Sequence, residues 1–84
     1  MKIYNIEIEK NALKFIKTRN EQERKKIFSG IYKLPHSGDI KKMTGYINRF
    51  RLRIGDIRII YDKYDDILKI IIVEIVNRGD VYKK

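Results

Sequence analysis

The sequence lacks the residues and motifs on which many enzyme classes depend. It contains no cysteine, so neither a disulfide framework nor a cysteine-ligated metal site is available to it. Its single histidine excludes a histidine pair, and no glycine-rich loop of the phosphate-binding kind is present. We therefore expect no metal and no cofactor. A chain of 84 residues is expected to form one domain, residues 1–84, held by its apolar core alone.

Long apolar runs are also missing. The longest uninterrupted apolar stretch, residues 70–73, is far shorter than the roughly 20 residues that a transmembrane helix needs. The N-terminus continues into alternating charged positions and has no apolar segment of the signal-peptide type. These features predict a soluble, cytoplasmic protein with no membrane partner.

Positive charge, by contrast, is abundant. Twenty Lys and Arg against 11 Asp and Glu give a formal net charge of +9. Residues 41–63 contain seven basic and two acidic residues, and residues 78–84 contain three basic and one acidic, so these segments carry net charges of +5 and +2. This concentration favours a polyanionic partner. The alternative at this point is surplus lysine that only keeps a small protein soluble.

The N-terminal part of the chain predicts one strand and two helices. Residues 2–8 alternate between apolar and polar side chains, as in a half-buried strand. The apolar period becomes helical from about Lys10. Asn20, followed three residues later by Glu23, predicts the N-cap of a second helix, which Pro35 ends.

The rest of the chain predicts three consecutive strands. Residues 35–45 are interpreted as a loop, and residues 47–54 as a strand with one apolar and one basic face. The Gly55-Asp56 turn leads into a partner strand over residues 57–62. The last strand, residues 67–76, is apolar on both faces and should therefore be central in the sheet or covered by a helix.

The order of these elements predicts the fold class. It is α/β (α+β): an N-terminal strand, a two-helix hairpin and a three-stranded antiparallel meander, with the hairpin on one face of an antiparallel sheet. Gly30 lies inside the second helix, where glycine costs about 1 kcal/mol relative to alanine. We expect Gly30 to mark a close contact between the two helices.

Arginines occupy one face of the predicted sheet. Arg49, Arg51 and Arg53 alternate along one strand and point the same way. The following strands are expected to bring three more residues to this face: Arg58, Arg78 and Tyr82. Guanidinium groups bind phosphate bidentately and stay charged, and a tyrosine beside them can stack on a base or exchange a proton. Spacing alone does not distinguish a phosphate site from a solvated sheet surface.

Other polar residues have a structural interpretation. His36 lies in a segment of Pro, Ser and Gly, where a structural role is favoured over a catalytic one. Glu7 and Glu9 form a spaced pair on the first strand, which a solvated edge explains better than chemistry does.

Two sequence motifs resemble the RelE/ParE toxin superfamily, and in particular the RelE-like toxins. Residues 42–45 read KMTG and residues 48–61 read NRFRLRIGDIRIIY, similar to the "KL-x-G … YRLRVGDYRVIY" core of RelE-type toxins. Residues 76–82 read VNRGDVY, similar to their "HR-x-DVY" ending. The N-terminal half agrees more loosely, and the resemblance covers essentially the whole chain.

This resemblance implies a fold, an activity and partners. The fold would be the compact RelE-like form of microbial RNase type. The activity would be that of a type II toxin–antitoxin toxin, a metal-independent endoribonuclease that cleaves mRNA on the ribosome and leaves 2′,3′-cyclic phosphate and 5′-OH ends. The partners would be the ribosome, mRNA and a small antitoxin whose helix wraps the toxin. We expect the antitoxin to be acidic, because it must cover the arginines.

The resemblance also implies roles for single residues. Arg58 matches the arginine that steadies the pentavalent phosphate, Arg78 the C-terminal catalytic arginine, and Tyr82 the terminal tyrosine. Together with Arg51 they form the predicted catalytic set. The cations predicted to bind RNA or the ribosome are Lys41, Lys42, Arg49, Arg53, Lys83 and Lys84.

The sequence departs from the family pattern at positions that matter for proton transfer. Arg49 and Arg51 stand where some relatives have lysine, and Asn77 stands where many have histidine. Arginine has a pKa above about 12 and is a poor base at neutral pH. The general base and the general acid are therefore not assigned by the sequence.

Two alternative functions remain compatible with the same motifs. One is a ParE-like toxin without nuclease activity that binds and inhibits DNA gyrase. The other is a degenerate member that only binds RNA or its antitoxin. The retention of Arg58, Arg78 and Tyr82 together favours the nuclease.

Overall fold

The computed structural model of the chain describes residues 2–77. Its elements are β1 (Asn5–Ile8), α1 (Lys10–Lys17), α2 (Glu21–Tyr32), β2 (Asp39–Lys42), β3 (Arg49–Ile54), β4 (Ile57–Tyr64) and β5 (Lys69–Asn77). The strands of this described part form one sheet in the order β1-β5-β4-β3-β2. Neighbours from β2 to β5 pair antiparallel, whereas β1 pairs parallel with β5.

The apolar core lies between the sheet and the two helices, which cover the same face. Ala12 and Ile16 of α1 and Ile27 and Ile31 of α2 are buried. They pack with the buried strand residues Leu52, Ile57, Ile59, Tyr61, Ile70, Ile72 and Ile75. Side chains alternate between the two faces of a strand, so the residues between these core positions point to the opposite face. In residues 2–77, neither helix has the length and apolar character required to cross a membrane.

The predicted order of elements is confirmed. A strand and two helices precede the antiparallel meander β3–β4–β5, and β5 is central, between β1 and β4. The predicted cap is present, because the side-chain oxygen of Asn20 accepts the backbone N–H of Glu23 at 2.8 Å. α2 ends at Tyr32, ahead of Pro35.

One strand differs from the prediction. Residues 35–45 were interpreted as a loop, but β2 forms within them and pairs with β3, with Lys41 opposite Arg51. The strand sequence Asp-Ile-Lys-Lys has a single apolar side chain, so no alternation marks it. Its conformation is set by backbone pairing at the sheet edge. As a result, Lys41 and Lys42 lie on a strand beside the arginines of β3.

The sheet is mixed and not antiparallel throughout. In the parallel pairing of β1 with β5, Ile6 lies opposite Ile70 and Ile8 opposite Ile72. The alternation of side chains along a strand is the same in both directions. The half-buried character of β1 could therefore be predicted, but its direction could not.

Gly30 does mark a close contact, but with β3 and not with α1. A Cβ at Gly30 would lie 2.5 Å from Cδ1 of Ile54 and 3.4 Å from Cδ2 of Leu52. The predicted partner was wrong because α2 turns this side toward the sheet, as the burial of Ile27 and Ile31 shows. Glycine here lets α2 approach the strand that carries the arginines.

A β-bulge in β5 keeps apolar residues on the helix side of the sheet. The register between β4 and β5 shifts so that Ile60 lies opposite Glu74 and Tyr61 opposite Ile72. Ile72 and Ile75 are both buried although they are three residues apart. Glu74 consequently turns to the face opposite the helices.

The packing of Gly38 against β3 yields a first prediction. Gly38 has a φ of +122°, and a Cβ there would lie 2.7 Å from Cδ1 of the buried Leu52. Gly45 also has a positive φ, +88°, but nothing lies within 4 Å of its Cβ position. Gly38→Ala should lower the free energy of unfolding by about 1–3 kcal/mol more than Gly45→Ala, because only the first adds overpacking to backbone strain. Chemical denaturation measures both losses. Equal losses would contradict this packing.

Candidate functional site

Two rows of side chains cross the face of the sheet opposite the helices. In the first row, Lys41 of β2 lies opposite Arg51 of β3. Arg51 lies opposite Ile60 of β4, and Ile60 opposite Glu74 of β5. The second row, one step along the strands, consists of Asp39, Arg53, Arg58 and Val76. Neighbouring strands are about 4.8 Å apart, so the long charged side chains of the two rows can reach a common ligand.

A cavity of about 520 Å³ lies on this face. Ile60 and Val76 contribute apolar surface to it, and Tyr46 contributes an aromatic ring. Within residues 2–77, Glu74 is the one carboxylate among its lining residues. The cations that line it are Lys41, Lys42, Arg49, Arg51 and Arg58. Such a concentration of positive charge in a concave surface suits a phosphate-bearing ligand.

Arg49 is held in place by a carboxylate and a ring. Its Nε and a terminal nitrogen donate to the two carboxylate oxygens of Asp62 at 2.7 and 2.9 Å. The guanidinium also lies 4.8 Å from the ring centre of Tyr46. The hydrogen bond to Asp62 raises the pKa of Arg49 above its ordinary value. Arg49 is therefore partly neutralised and fixed in orientation, which suits positioning more than the binding of a free phosphate.

Arg51 and Arg58, unlike Arg49, have no carboxylate partner within residues 2–77. The Nε of Arg51 is buried and has no hydrogen-bond partner within residues 2–77. A buried donor without a partner costs about 1–3 kcal/mol. Arg58 likewise makes no ion pair in the described part of the chain. These two guanidiniums are available to a ligand.

The structure brings together part of the predicted site. Arg51 and Arg58 of the predicted catalytic set line the cavity, as do three of the predicted binding residues, Lys41, Lys42 and Arg49. Arg53 is exposed opposite Arg58 and is not among the lining residues. Four predicted residues lie outside the described residues: Arg78, Tyr82, Lys83 and Lys84.

Three residues of the site were not predicted. Tyr46 and Asp62 were not predicted because both contact Arg49 from other parts of the chain, Tyr46 from a loop and Asp62 from β4. No spacing in the sequence indicates these contacts. Glu74 carried a signal, since it is the single acidic residue in an otherwise apolar stretch of β5. A strict period of two would nevertheless have placed it on the core face with Ile72. Only the bulge brings it to the cavity.

His36 and Glu7, for which a structural role was expected, have structural contacts, and Glu9 follows β1 as the N-cap residue of α1. His36 Nε2 lies 2.7 Å from the carbonyl oxygen of Lys2. Glu7 forms an ion pair with Lys69 at 2.5 Å. Residues 2–77 contain no group of three or more His, Cys, Asp or Glu side chains that could hold a metal ion.

No family model matches the chain, and no curated protein does. Solved structures do match. A chain of the RelB-RelE antitoxin–toxin complex from Methanococcus jannaschii is 29% identical, with a TM-score of 0.76, and the match covers 90% of this chain and 94% of that chain.

Two further structures extend this similarity. The archaeal RelE-RelB complex from Pyrococcus horikoshii OT3 matches with 23% identity and a TM-score of 0.76, over 93% of this chain and 98% of that chain. The isolated RelE toxin of E. coli matches with 16% identity and a TM-score of 0.74, over 94% of this chain and 90% of that chain. The chain therefore has a RelE-like toxin fold, as the sequence motifs predicted.

The link between Arg49 and Asp62 yields a second prediction. Both side chains are partly buried, with exposed fractions of 27% and 17%, so their hydrogen bonds should stabilise the fold. A double-mutant cycle of Arg49→Met and Asp62→Asn should give a coupling free energy of about 1–3 kcal/mol. The control is the same cycle with Asp56→Asn in place of Asp62→Asn. Asp56 is an exposed turn residue, so the coupling free energy with Arg49 should be close to zero. Coupling as weak as in the control would mean that Asp62 does not fix Arg49.

Proposed function

We propose that this chain, which has a RelE-like toxin fold, is the toxin of a type II toxin–antitoxin system and cleaves messenger RNA on the ribosome. The observation that carries the proposal is the cavity in which Arg51 and Arg58 face a common space without an ion pair in residues 2–77. Such a toxin would act in the cytoplasm, where translating ribosomes are found.

The proposed reaction is an internal transesterification of RNA. The ribose 2′-oxygen attacks the adjacent phosphorus, and the products carry a 2′,3′-cyclic phosphate and a 5′-OH. Negative charge grows on the phosphoryl oxygens in the transition state, and fixed guanidiniums stabilise it more than they stabilise the substrate. Arg51 and Arg58 are proposed for this role. Arg78 and Tyr82 are proposed to complete the catalytic set from outside the described residues.

The remaining cations are proposed to bind RNA and the ribosome. Lys41 and Lys42 lie on the edge strand β2, at the rim of the cavity. Arg53 is exposed beside the cavity, and its side chain can contact the phosphate backbone of an RNA that lies outside the cavity. Such contacts supply affinity with little dependence on sequence. Lys83 and Lys84 are proposed to add to them, together with the positioning residue Arg49.

An antitoxin is the proposed protein partner. The similar structures from M. jannaschii and P. horikoshii are complexes of RelE with RelB, which supports a partner of this kind. We propose that it is small and acidic and that it covers the cationic cavity, because the free chain carries a net charge of +9.

A third prediction separates catalysis from binding. Arg58→Ala should slow single-turnover cleavage of mRNA on translating ribosomes by about 10²-fold or more, with ribosome affinity little changed, because the charge that it meets exists mainly in the transition state. Replacing Lys41 and Lys42 by alanine should weaken affinity and leave cleavage at saturation nearly intact. Arg53→Ala is the matched control for the cleavage rate at saturation only: Arg53 lies directly opposite Arg58 but outside the cavity lining, so its loss should weaken affinity and leave saturated cleavage nearly intact. Mapping of new mRNA 5′ ends measures cleavage.

The same experiment distinguishes the alternatives. Equal losses of affinity for all these variants, with no effect on saturated cleavage, would contradict an arginine-built active site. No new 5′ ends together with inhibition of gyrase supercoiling would replace the proposal by the ParE-like function. Binding to ribosomes without cleavage would indicate a degenerate member.

A fourth prediction concerns the antitoxin. Expression of this chain alone should arrest growth, and co-expression of a small acidic protein encoded beside it should restore growth. Arg58→Ala should relieve the arrest without the second protein, because it removes cleavage and keeps the fold. Growth arrest by Arg58→Ala equal to that of the unchanged protein would contradict toxicity through RNA cleavage.

A further inference from the structure

The proposed reaction needs a base that takes the proton of the ribose 2′-OH. Arginine and lysine have ordinary pKa values above about 10, so at neutral pH they are protonated and cannot accept it. The cations that line the cavity can hold charge on the phosphate, but the proton needs another acceptor. The inference that follows rests on the proposed function and completes it.

We propose that Glu74 is the general base of this site. Glu74 lies in the same row of the sheet as Arg51, two strands away, with Ile60 between them. At about 4.8 Å per strand, the two backbones are separated by about 10 Å. Ile60 lines the cavity between Arg51 and Glu74, and a ribose with its 3′-phosphate can occupy this interval. The carboxylate would then meet the 2′-OH while Arg51 meets the phosphate from the other side.

Arg58 lies on the same side of the sheet, diagonal to Glu74. It is on β4, two residues from Ile60, and diagonal neighbours on adjacent strands are about 7–8 Å apart at the backbone. A guanidinium and a carboxylate at this separation can contact adjacent atoms of one substrate. Arg58 therefore completes the contacts to the phosphate.

The β-bulge is the feature that delivers Glu74 to the cavity. Ile70 and Ile72 are buried in the core, and an unbroken alternation would send Glu74 to the core as well. The register shift between Ile60 and Tyr61 reverses the alternation, so that Ile75 is buried and Glu74 is exposed. Bulges re-aim side chains in this way beside active sites.

The side chain of Glu74 is free to act. It makes no ion pair or hydrogen bond within residues 2–77. The charged groups on the same face are Arg58 and Asp62 of β4, Arg49, Arg51 and Arg53 of β3, Asp39 and Lys41 of β2, and Glu7 of β1 with its partner Lys69. Asp62 and Glu7 are engaged by cations, and Asp39 is not among the residues that line the cavity, so none of the three competes as a proton acceptor.

The step balances in protons and bonds. A carboxylate oxygen of Glu74 takes the 2′-proton as the bond from O2′ to phosphorus forms and the bond from phosphorus to O5′ breaks. The leaving 5′-oxygen takes a proton from water. Glu74 then returns its proton to the resulting hydroxide, so the protein is regenerated. No oxidant, reductant or further reactant is required.

The test compares Glu74→Gln with Glu7→Gln in single-turnover cleavage of mRNA on translating ribosomes, at saturating protein. Glu7 is a carboxylate on the same face but outside the cavity, so its variant is the matched control. Glu74→Gln should cleave at least about 10²-fold more slowly, with ribosome affinity unchanged. Glu74→Asp should recover part of the loss, because it restores a carboxylate at a shorter reach.

The pH dependence provides a readout that a structural role would not change. The unchanged protein should lose rate as the pH is lowered, because protonation removes the base. Glu74→Gln should lose this acidic limb, whereas Glu7→Gln should keep it. Thermal unfolding of each variant shows whether it folds. Because Glu74 is exposed, we expect its variants to fold.

The outcomes separate the inference from the proposed function. Cleavage by the unchanged protein, with Glu74→Gln equal to Glu7→Gln in rate and in pH profile, would overturn the role of Glu74 alone. If the unchanged protein makes no cut in ribosome-bound mRNA, the proposed function and the role of Glu74 both fail. A slow Glu74→Gln that keeps the acidic limb would assign the base to another group.

Discussion

The burial of isoleucine on one face of the sheet is the constraint on which the rest of the molecule depends. Both helices cover that face, and the buried residues of α1, α2 and the strands form one core. In a strand, every residue that does not point to the core points away from it. The arginines of β3 and β4 are thereby gathered on the opposite face, where Arg51 and Arg58 share a cavity. The site is a consequence of how the core is packed.

A concentration of like charge is costly unless it is compensated. Asp62 binds Arg49 through two hydrogen bonds, and Glu74 adds a negative charge at the far end of the row that begins with Lys41. The lining therefore contains one fixed cation and two available guanidiniums. This division is what a phosphoryl-transfer site requires, since some groups must position the substrate and others must respond to charge that develops during the reaction.

Much of this could be predicted from the sequence, because periodicity determines which residues are buried. The N-cap at Asn20 follows from a local pattern, and so does the division of β3 into a basic face and an apolar face. β2 could not be predicted, since pairing and not composition makes it a strand. The position of Glu74 depends on a bulge that leaves no trace in the alternation. Long-range contacts such as that of Asp62 with Arg49 follow only from the assembled sheet.

The shortness of β2 has a consequence for how copies of this protein behave toward one another. As the outer strand of the described sheet on that side, it presents one row of backbone donors and acceptors that no neighbouring strand satisfies. In sheet proteins generally, an edge strand that is long, flat and apolar templates the addition of strands from other molecules and leads to aggregation. β2 is only four residues long, and three of them are charged. Short length and charged side chains at an edge strand both disfavour edge-to-edge pairing between copies of a protein.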